Sequence, residues 1–104
     1  MVQKIEWTEQ SRNDLYKIKE YIAADSLLLF QAERTIKLIY SHVQKLTSYP
    51  EIGMVIYRSE EYLVRRILIK NYRLIYTFHS DTIFIPSVQH QSQELGTDFD
   101  LTFI

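Results

Sequence analysis

The chain has no cysteine and very little glycine or proline. Its 104 residues include two glycines, two prolines and no cysteine. The absence of cysteine excludes disulfides, thiolate catalysis and zinc-thiolate sites. The shortage of glycine and proline argues against flexible linkers and glycine-rich phosphate loops. We therefore predict a single domain, residues 1–104, that is stabilised by its own hydrophobic core, and we expect neither a metal ion nor a cofactor.

The chain also lacks an excess of positive or negative charge. Twelve basic and thirteen acidic residues give a net charge of −1, so the whole molecule has no long-range field that would attract nucleic acid. No apolar run approaches the roughly 20 residues of a membrane span, and a strand-like segment follows Met1 where a leader would have an apolar region. We expect a cytoplasmic protein with no membrane contact.

Two helices follow a short strand in the predicted order of elements. Apolar and polar residues alternate over residues 2–8, and Thr8 then suits the N-cap of a first helix. Asp25-Ser26 interrupts the helical pattern and is predicted to cap a second helix. The second helix has an apolar residue at every third or fourth position, namely Leu29, Ala32, Ile36, Ile39, Val43 and Leu46. This spacing indicates a packing face, and the short connection predicts an antiparallel helical hairpin.

The second half of the chain is rich in strand-forming residues. After the predicted helix end at Tyr49-Pro50, where Gly53 is expected to adopt a positive φ, a strand is predicted at 54–58. Three further segments are separated only by Lys70-Asn71 and Ser80-Asp81, which predict tight antiparallel hairpins.

Alternation along the strands then assigns side chains to two faces. The first face receives Leu63, Arg65, Ile67, Ile69, Tyr72, Leu74, Tyr76, Phe78, Ile83 and Ile85. The second receives Val64, Arg66, Leu68, Arg73, Ile75, Thr77, Phe84, Pro86, Val88 and His90.

These elements predict an α+β fold. The helical hairpin should cover the apolar first face of a mostly antiparallel sheet of four or five strands that includes the N-terminal strand. Pro86 cannot donate to a strand ladder, so its strand is predicted to be an edge or to contain a bulge there. The tail, residues 95–104, is too apolar to stay in solvent, and we expect it to dock on the protein core or on a partner.

The candidate site lies on the second face, which the predicted helices leave uncovered. Arg66, Arg73 and His90 are expected to lie together there, with Phe84 and Val88 beside them. Metal-free RNA cleavage needs a base, an acid and a cation, and the two arginines with His90 could supply them. The alternative is that the arginines are solvated or paired with carboxylates and His90 has no chemical duty. For binding a carboxylate or a phosphate, the arginines alone suffice.

Four segments of the chain resemble the RelE/ParE toxin superfamily, also called plasmid-stabilisation proteins. They are EWTEQSRNDLYKIKEYIAADS, LTSYPEIG, RRILIKNYRLIYTF and IPSVQHQSQEL, in the order and at the spacing of that superfamily, over about residues 5 to 95. The YRLIY and VQHQ segments look ParE-like. The resemblance implies a small cytoplasmic toxin that a cognate antitoxin wraps with an extended or helical segment.

Two activities are compatible with this resemblance. ParE-like members inhibit DNA gyrase by protein contact, in which case Arg66, Arg73, Phe84, Val88 and His90 would bind the target or the antitoxin. RelE-like members cut messenger RNA on the ribosome, in which case Arg66, Arg73 and His90 would be catalytic. A member that only binds antitoxin is a third alternative. The ParE-like, non-enzymatic toxin is the preferred hypothesis, and a homodimer or a hetero-oligomer with the antitoxin is left open.

Overall fold

The computed structural model describes residues 2–24 and 28–92. Within them the chain forms two helices and one five-stranded sheet. The elements in chain order are β1 (Lys4–Trp7), α1 (Glu9–Ala23), α2 (Leu29–Leu46), β2 (Met54–Arg58), β3 (Leu63–Ile69), β4 (Tyr72–His79) and β5 (Thr82–His90). This α+β order agrees with the prediction. The apolar tail 95–104 and Asp25-Ser26 lie outside the described residues.

The helix starts follow from different local chemistry. Thr8 is the N-cap of α1, and its hydroxyl accepts a hydrogen bond from the Ser11 N–H at 3.1 Å, as the sequence predicts. The N-cap of α2 is Leu28, which makes no side-chain cap. The stability of α2 comes mainly from packing, because Ala32, Ile39, Val43 and Leu46 of its predicted packing face are buried; Leu29, the first residue of that face, is 48% exposed.

The sheet has the order β1-β5-β4-β3-β2. The consecutive strands β2 to β5 pair antiparallel, whereas β1 pairs parallel with β5 from Lys4 opposite Thr82 to Trp7 opposite Ile85. Two-residue turns join β3 to β4 and β4 to β5, and Lys70, Ser80 and Asp81 adopt positive φ in them. The predicted hairpins are confirmed. No helix among the described residues is long and apolar enough to span a membrane.

Both helices pack on the predicted first face of the sheet. The core joins buried residues of the helices to those of the strands, listed as Leu15, Ile39, Val43, Leu46, Ile69, Tyr72, Leu74, Tyr76, Ile83, Ile85 and Val88. Apart from Val88, the strand members all come from the predicted first face. That face was therefore assigned correctly, because the short turns fix the register on both sides of β4.

The segment that joins α2 to β2 is held against the sheet by Tyr76. The Tyr76 hydroxyl donates a hydrogen bond to the Pro50 carbonyl oxygen at 2.9 Å and accepts one from the Gly53 N–H at 2.8 Å. Gly53 does not have the expected positive φ. Glycine is needed there for space, because a Cβ on Gly53 would lie 2.6 Å from the Tyr76 hydroxyl oxygen and 2.8 Å from the Arg66 carbonyl oxygen.

Substituting Tyr76→Phe should lower the free energy of unfolding by about 1–3 kcal/mol, because it leaves the buried Gly53 N–H without an acceptor. Urea denaturation of both proteins measures the change. Tyr16→Phe is the control, since Tyr16 is exposed and its loss should change stability by less than about 0.5 kcal/mol. Equal stability of wild type and Tyr76→Phe would contradict the proposed role of this hydroxyl.

Burial raises the pKa of Tyr76 above its ordinary 10.0, although the Gly53 hydrogen bond and the Arg65 charge oppose the shift. The unfolded chain therefore loses this proton before the folded chain does, and stability falls as pH rises from about 10 through the folded pKa. We expect Tyr76→Phe to show a shallower loss of stability in this range. Denaturation curves at stepped alkaline pH measure it, and parallel pH profiles for the two proteins would refute the expectation.

Candidate functional site

A β-bulge in β5 determines which side chains face the helices at the end of the sheet. Before it, Phe84 is opposite Thr77, and after it, Ser87 is opposite Ile75. Tyr76 is thus the one residue of β4 that faces two residues of β5, Ile85 and Pro86. Since Pro86 has no N–H to donate, the strand ladder is interrupted where the sequence predicts a bulge.

The start of α1 holds this bulge in place. The proton of the Thr8 hydroxyl is shared between the carbonyl oxygens of Ile85 and Pro86, each 3.1 Å away. Nearly two turns further along α1, the Asp14 carboxylate accepts hydrogen bonds from the Val88 N–H at 3.0 Å and from the Ser87 hydroxyl at 3.2 Å. The pairing of β1 with β5 ends at Ile85, so Asp14 supplies an acceptor that a neighbouring strand would otherwise provide.

The bulge corrects the predicted faces of the last residues of β5. Val88 is opposite Leu74 and His90 is opposite Tyr72, so both side chains lie on the helix side of the sheet. The prediction that Val88 and His90 share the second face with Arg66 and Arg73 is wrong. The extra residue at the bulge shifts the alternation by one and transfers every later side chain to the other face.

His90 packs at the open end of the core. Its ring meets Tyr72 edge to face, with centroids 5.4 Å apart, and its Nδ1 accepts a hydrogen bond from the Ser92 N–H at 3.0 Å. In the neutral ring the proton is therefore on Nε2, because a backbone N–H can only donate. Burial, followed by the charge of Tyr21, raises the pKa of the neighbouring Tyr72. His90 thus lies on the opposite side of the sheet from Arg66 and Arg73.

Arg66, Arg73 and Phe84 remain on the predicted second face. Arg73 donates a hydrogen bond from Nη2 to the Gln89 side-chain oxygen at 3.2 Å, because Gln89, and not Val88, is its cross-strand neighbour. Arg66 directs Nη2 at the Met54 sulfur, 3.1 Å away. All three predicted residues are half-buried. Their positions are set by the pairing of β3, β4 and β5.

The middle of the second face is more buried than the sequence predicts. The buried residues there are Val64, Ile75, Thr77 and Ser87. Exposed apolar side chains occur instead near the outer edge of β3, where Leu68 and Met54 are 50% and 61% exposed. Any partner that approaches from this side therefore meets the β3 edge more readily than the centre of the sheet.

A groove of about 490 Å³ lies beside that edge, between the end of α2 and β3. It is lined by His42, Lys45, Leu46, Tyr49, Ile52, Met54, Arg66, Ile67 and Leu68. Of these, only Arg66 is among the predicted site residues. The others are not predicted from the sequence, because the groove joins α2 to β3 and no local pattern shows that these two elements are close in space. A second cleft of about 420 Å³, which includes Asp14, Lys17, Tyr72 and His90, lies on the helix side.

No cluster of three or more histidine and acidic side chains suited to a metal ion occurs within residues 2–24 and 28–92. Arginine side chains lie on both faces of the sheet. Arg65, on the helix side, donates from Nη1 to the carbonyl oxygens of Glu51 and Gly53 at 2.9 and 2.8 Å. Arg65 therefore stabilises the connection into β2.

Comparison with known proteins identifies the class of this fold. The chain is similar in structure to the chromosomal ParDE toxin-antitoxin system of P. aeruginosa, with a TM-score of 0.70, 15% identity, and coverage of 86% of this chain and 96% of the other. It is also similar to the RelBE2 toxin-antitoxin complex of Mycobacterium tuberculosis, with a TM-score of 0.55, 21% identity, and coverage of 86% and 99%. The YoeB-YefM toxin-antitoxin complex of Staphylococcus aureus is similar as well, with a TM-score of 0.50, 19% identity, and coverage of 86% of this chain and 97% of the other.

The fold is therefore that of the RelE/ParE superfamily. The sequence identifies the family within this superfamily, because the family model for the ParE toxin of type II toxin-antitoxin systems, parDE, matches residues 5–95. The chain belongs to this ParE toxin family. No curated protein sequence matches it. The resemblance inferred from four sequence segments is confirmed.

Removing the carboxylate that holds the bulge tests this description of the site. Asp14→Ala should lower the free energy of unfolding by about 1–3 kcal/mol, because the Val88 N–H loses its acceptor and Ser87 loses a hydrogen bond. Asn13→Ala is a matched control on the exposed side of the same helix. Chemical denaturation compares the two variants. The same small effect for both would show that Asp14 does not hold β5.

Proposed function

We propose that this chain is the toxin of a two-component system, that an antitoxin neutralises it, and that the free toxin inhibits DNA gyrase by protein contact in the cytoplasm. Membership in the ParE toxin family supports the toxin role. The similar structures are named as toxin-antitoxin complexes, which supports an antitoxin as the partner of this chain as well. Plasmid stabilisation is the biological role that such a module would serve.

The position of His90 is the observation that favours contact over catalysis. Cleavage of RNA without a metal needs the proton-transfer group and the cation on the same phosphate. His90 packs on Tyr72 on the helix side, whereas Arg66 and Arg73 belong to the other face. The catalytic set that a RelE-like nuclease would need from these residues is not assembled, which supports a toxin without chemistry of its own.

The RelE-like activity is the second candidate, because the chain is also similar in fold to the RelBE2 complex. If this chain were a ribosome-dependent nuclease, then Arg66, Arg73 or His90 would be required for cleavage. For the ParE-like toxin, we propose Arg66 as a contact residue, because it lies beside the exposed Met54 and Leu68 at the β3 edge. His90 has no part in that contact surface.

The experiment that separates the two candidates compares the wild type with His90→Ala. Purified wild type should inhibit supercoiling by gyrase, and the variant should change the half-inhibitory concentration by less than about twofold, as expected for a substitution away from the contact. Arg66→Glu should weaken inhibition, and Arg58→Glu, at an exposed site at the end of β2, serves as its control.

Primer extension on ribosome-bound messages from cells that express each protein completes the test. We expect no new cleavage positions with either protein. Cleavage by the wild type that disappears in His90→Ala, with normal gyrase activity, would contradict the proposal and support the RelE-like alternative. Normal growth and normal supercoiling without cleavage would indicate a member that retains antitoxin binding alone.

A further inference from the structure

A cleft of about 320 Å³ lies where both helices meet the turn between β3 and β4. The polar residues that line it come from α2 and from this turn, and they are Gln31, Arg34, Thr35, Lys70 and Asn71. Ile22 of α1 and Tyr72 at the start of β4 complete the lining. The volume is at the lower end of the range for small-molecule sites, so the cleft suits a small ligand.

The charge of this cleft is positive. Arg34 and Lys70 are the charged residues that line it, and they come from different elements of the fold. Within residues 2–24 and 28–92, neither side chain is paired with a carboxylate. Two like charges that face one cleft repel each other, and an anion between them offsets this repulsion. The cleft therefore favours an anionic ligand.

Both cations are carried by parts of the chain that are held in place. The Arg34 guanidinium lies over the Phe30 ring, 5.8 Å from its centroid, and this cation–π contact uses none of the five N–H donors in a hydrogen bond. Gln91 fixes the turn, because its side-chain amide donates to the Lys70 carbonyl oxygen and its N–H to the Asn71 carbonyl oxygen, each at 2.7 Å. A ligand therefore meets donors that are partly ordered before it binds.

Thr35 adds a buried hydroxyl to this set. The residue is only 6% exposed, and its hydroxyl makes no hydrogen bond to another residue in the described part of the chain. Buried polar groups in proteins normally have a hydrogen-bond partner. A ligand oxygen in the cleft would accept from this hydroxyl, and the side-chain amides of Gln31 and Asn71 are further donors along the same lining.

We propose that this cleft binds the dianionic phosphate group of a small ligand, with Arg34 and Lys70 on the phosphate oxygens and the Thr35 hydroxyl as a neutral donor. Guanidinium and ammonium groups are the side chains that bind phosphate most strongly. Ile22 and Tyr72 would contact the organic part of a phosphate ester. The site is separate from the gyrase proposal, because none of its residues belongs to the proposed contact surface near the β3 edge.

The charge balance favours a phosphate monoester or free phosphate over nucleic acid. A phosphate monoester carries a charge of about −1.5 to −2 at neutral pH, which matches two cations, whereas each phosphate of a nucleic acid backbone carries one negative charge. The net charge of −1 also gives the chain no long-range attraction for nucleic acid. Because the ligand would join α2 to the β3–β4 turn in the folded chain alone, its binding should stabilise the fold.

NMR of the isotope-labelled full chain tests the site with inorganic phosphate, ribose 5-phosphate and ribose in a phosphate-free buffer. We expect saturable binding of both phosphates, the largest amide shifts at residues 31–35 and 70–72, and no binding of ribose. Tighter binding of ribose 5-phosphate identifies an ester as the ligand, and equal affinity identifies the phosphate group alone; both support the proposal. Shifts that do not saturate, or that are confined to other residues, would overturn it.

A single-stranded oligonucleotide is the probe for the competing class of ligand. If it shifts the amides of residues 31–35 and 70–72 while neither small phosphate does, the cleft binds nucleic acid and the proposal is wrong. No binding of the oligonucleotide at these residues, together with binding of the small phosphates, supports it.

Two pairs of variants test the cations. Arg34→Gln and Lys70→Asn should each weaken binding of ribose 5-phosphate by at least about tenfold, which is about 1.4 kcal/mol. Asparagine tolerates the positive φ of 53° at position 70, so the second variant keeps the turn. The matched controls, Arg12→Gln and Lys37→Gln, remove exposed cations that do not line the cleft and should retain wild-type affinity. Equal losses in a variant and its control would contradict the assigned cleft.

The Thr35 hydroxyl is tested by a pair that leaves the charge unchanged. Thr35→Ser keeps the hydroxyl and should bind ribose 5-phosphate like the wild type, whereas Thr35→Val removes it and should weaken binding by about three- to tenfold. Thermal denaturation with and without ribose 5-phosphate measures the ligand-induced rise in Tm within each protein, so a difference in basal stability does not affect the comparison. The same rise in Tm for both variants would contradict the proposed site.

Discussion

The bulge at Ile85–Pro86 is the constraint on which the rest of the site depends. A proline within a strand that has neighbours on both sides interrupts the ladder, and this chain satisfies the affected backbone groups from the start of α1. The Thr8 hydroxyl donates to the carbonyl oxygens of Ile85 and Pro86, and the Asp14 carboxylate accepts from the Val88 N–H. The helix that covers the core is thereby also fixed to the strand that bears His90.

The extra residue at the bulge matters for function because it moves the side chains that follow it in β5 to the other face of the sheet. The His90 side chain faces Tyr72 on the helix side. Gln89 is the residue beside Arg73, where His90 was expected. The arginines that remain on the other face are separated from the histidine by the sheet itself. The contact surface that we propose for the free toxin combines these cations with the exposed apolar side chains near the β3 edge.

The sequence predicts the fold well where its patterns are local. The Thr8 cap, the apolar repeat of α2 and the two short turns are each determined by a few neighbouring residues, and they lead to the correct helices, strands and core face. The site was predicted less well. Pro86 correctly indicated a bulge, but its effect on the alternation was not applied to Val88 and His90. The groove escaped prediction because it lies between the end of α2 and β3, which are far apart in the sequence.

The most direct test of this account is where the His90 ring lies in solution. Nuclear Overhauser effects from the ring protons of His90 report contacts of a few ångströms and require no assumption about activity. The account predicts contacts with the ring of Tyr72 and with α1 side chains around the helix-side cleft. Contacts of the ring with the side chains of Arg66 or Arg73 instead would place all three residues on one face and contradict the account.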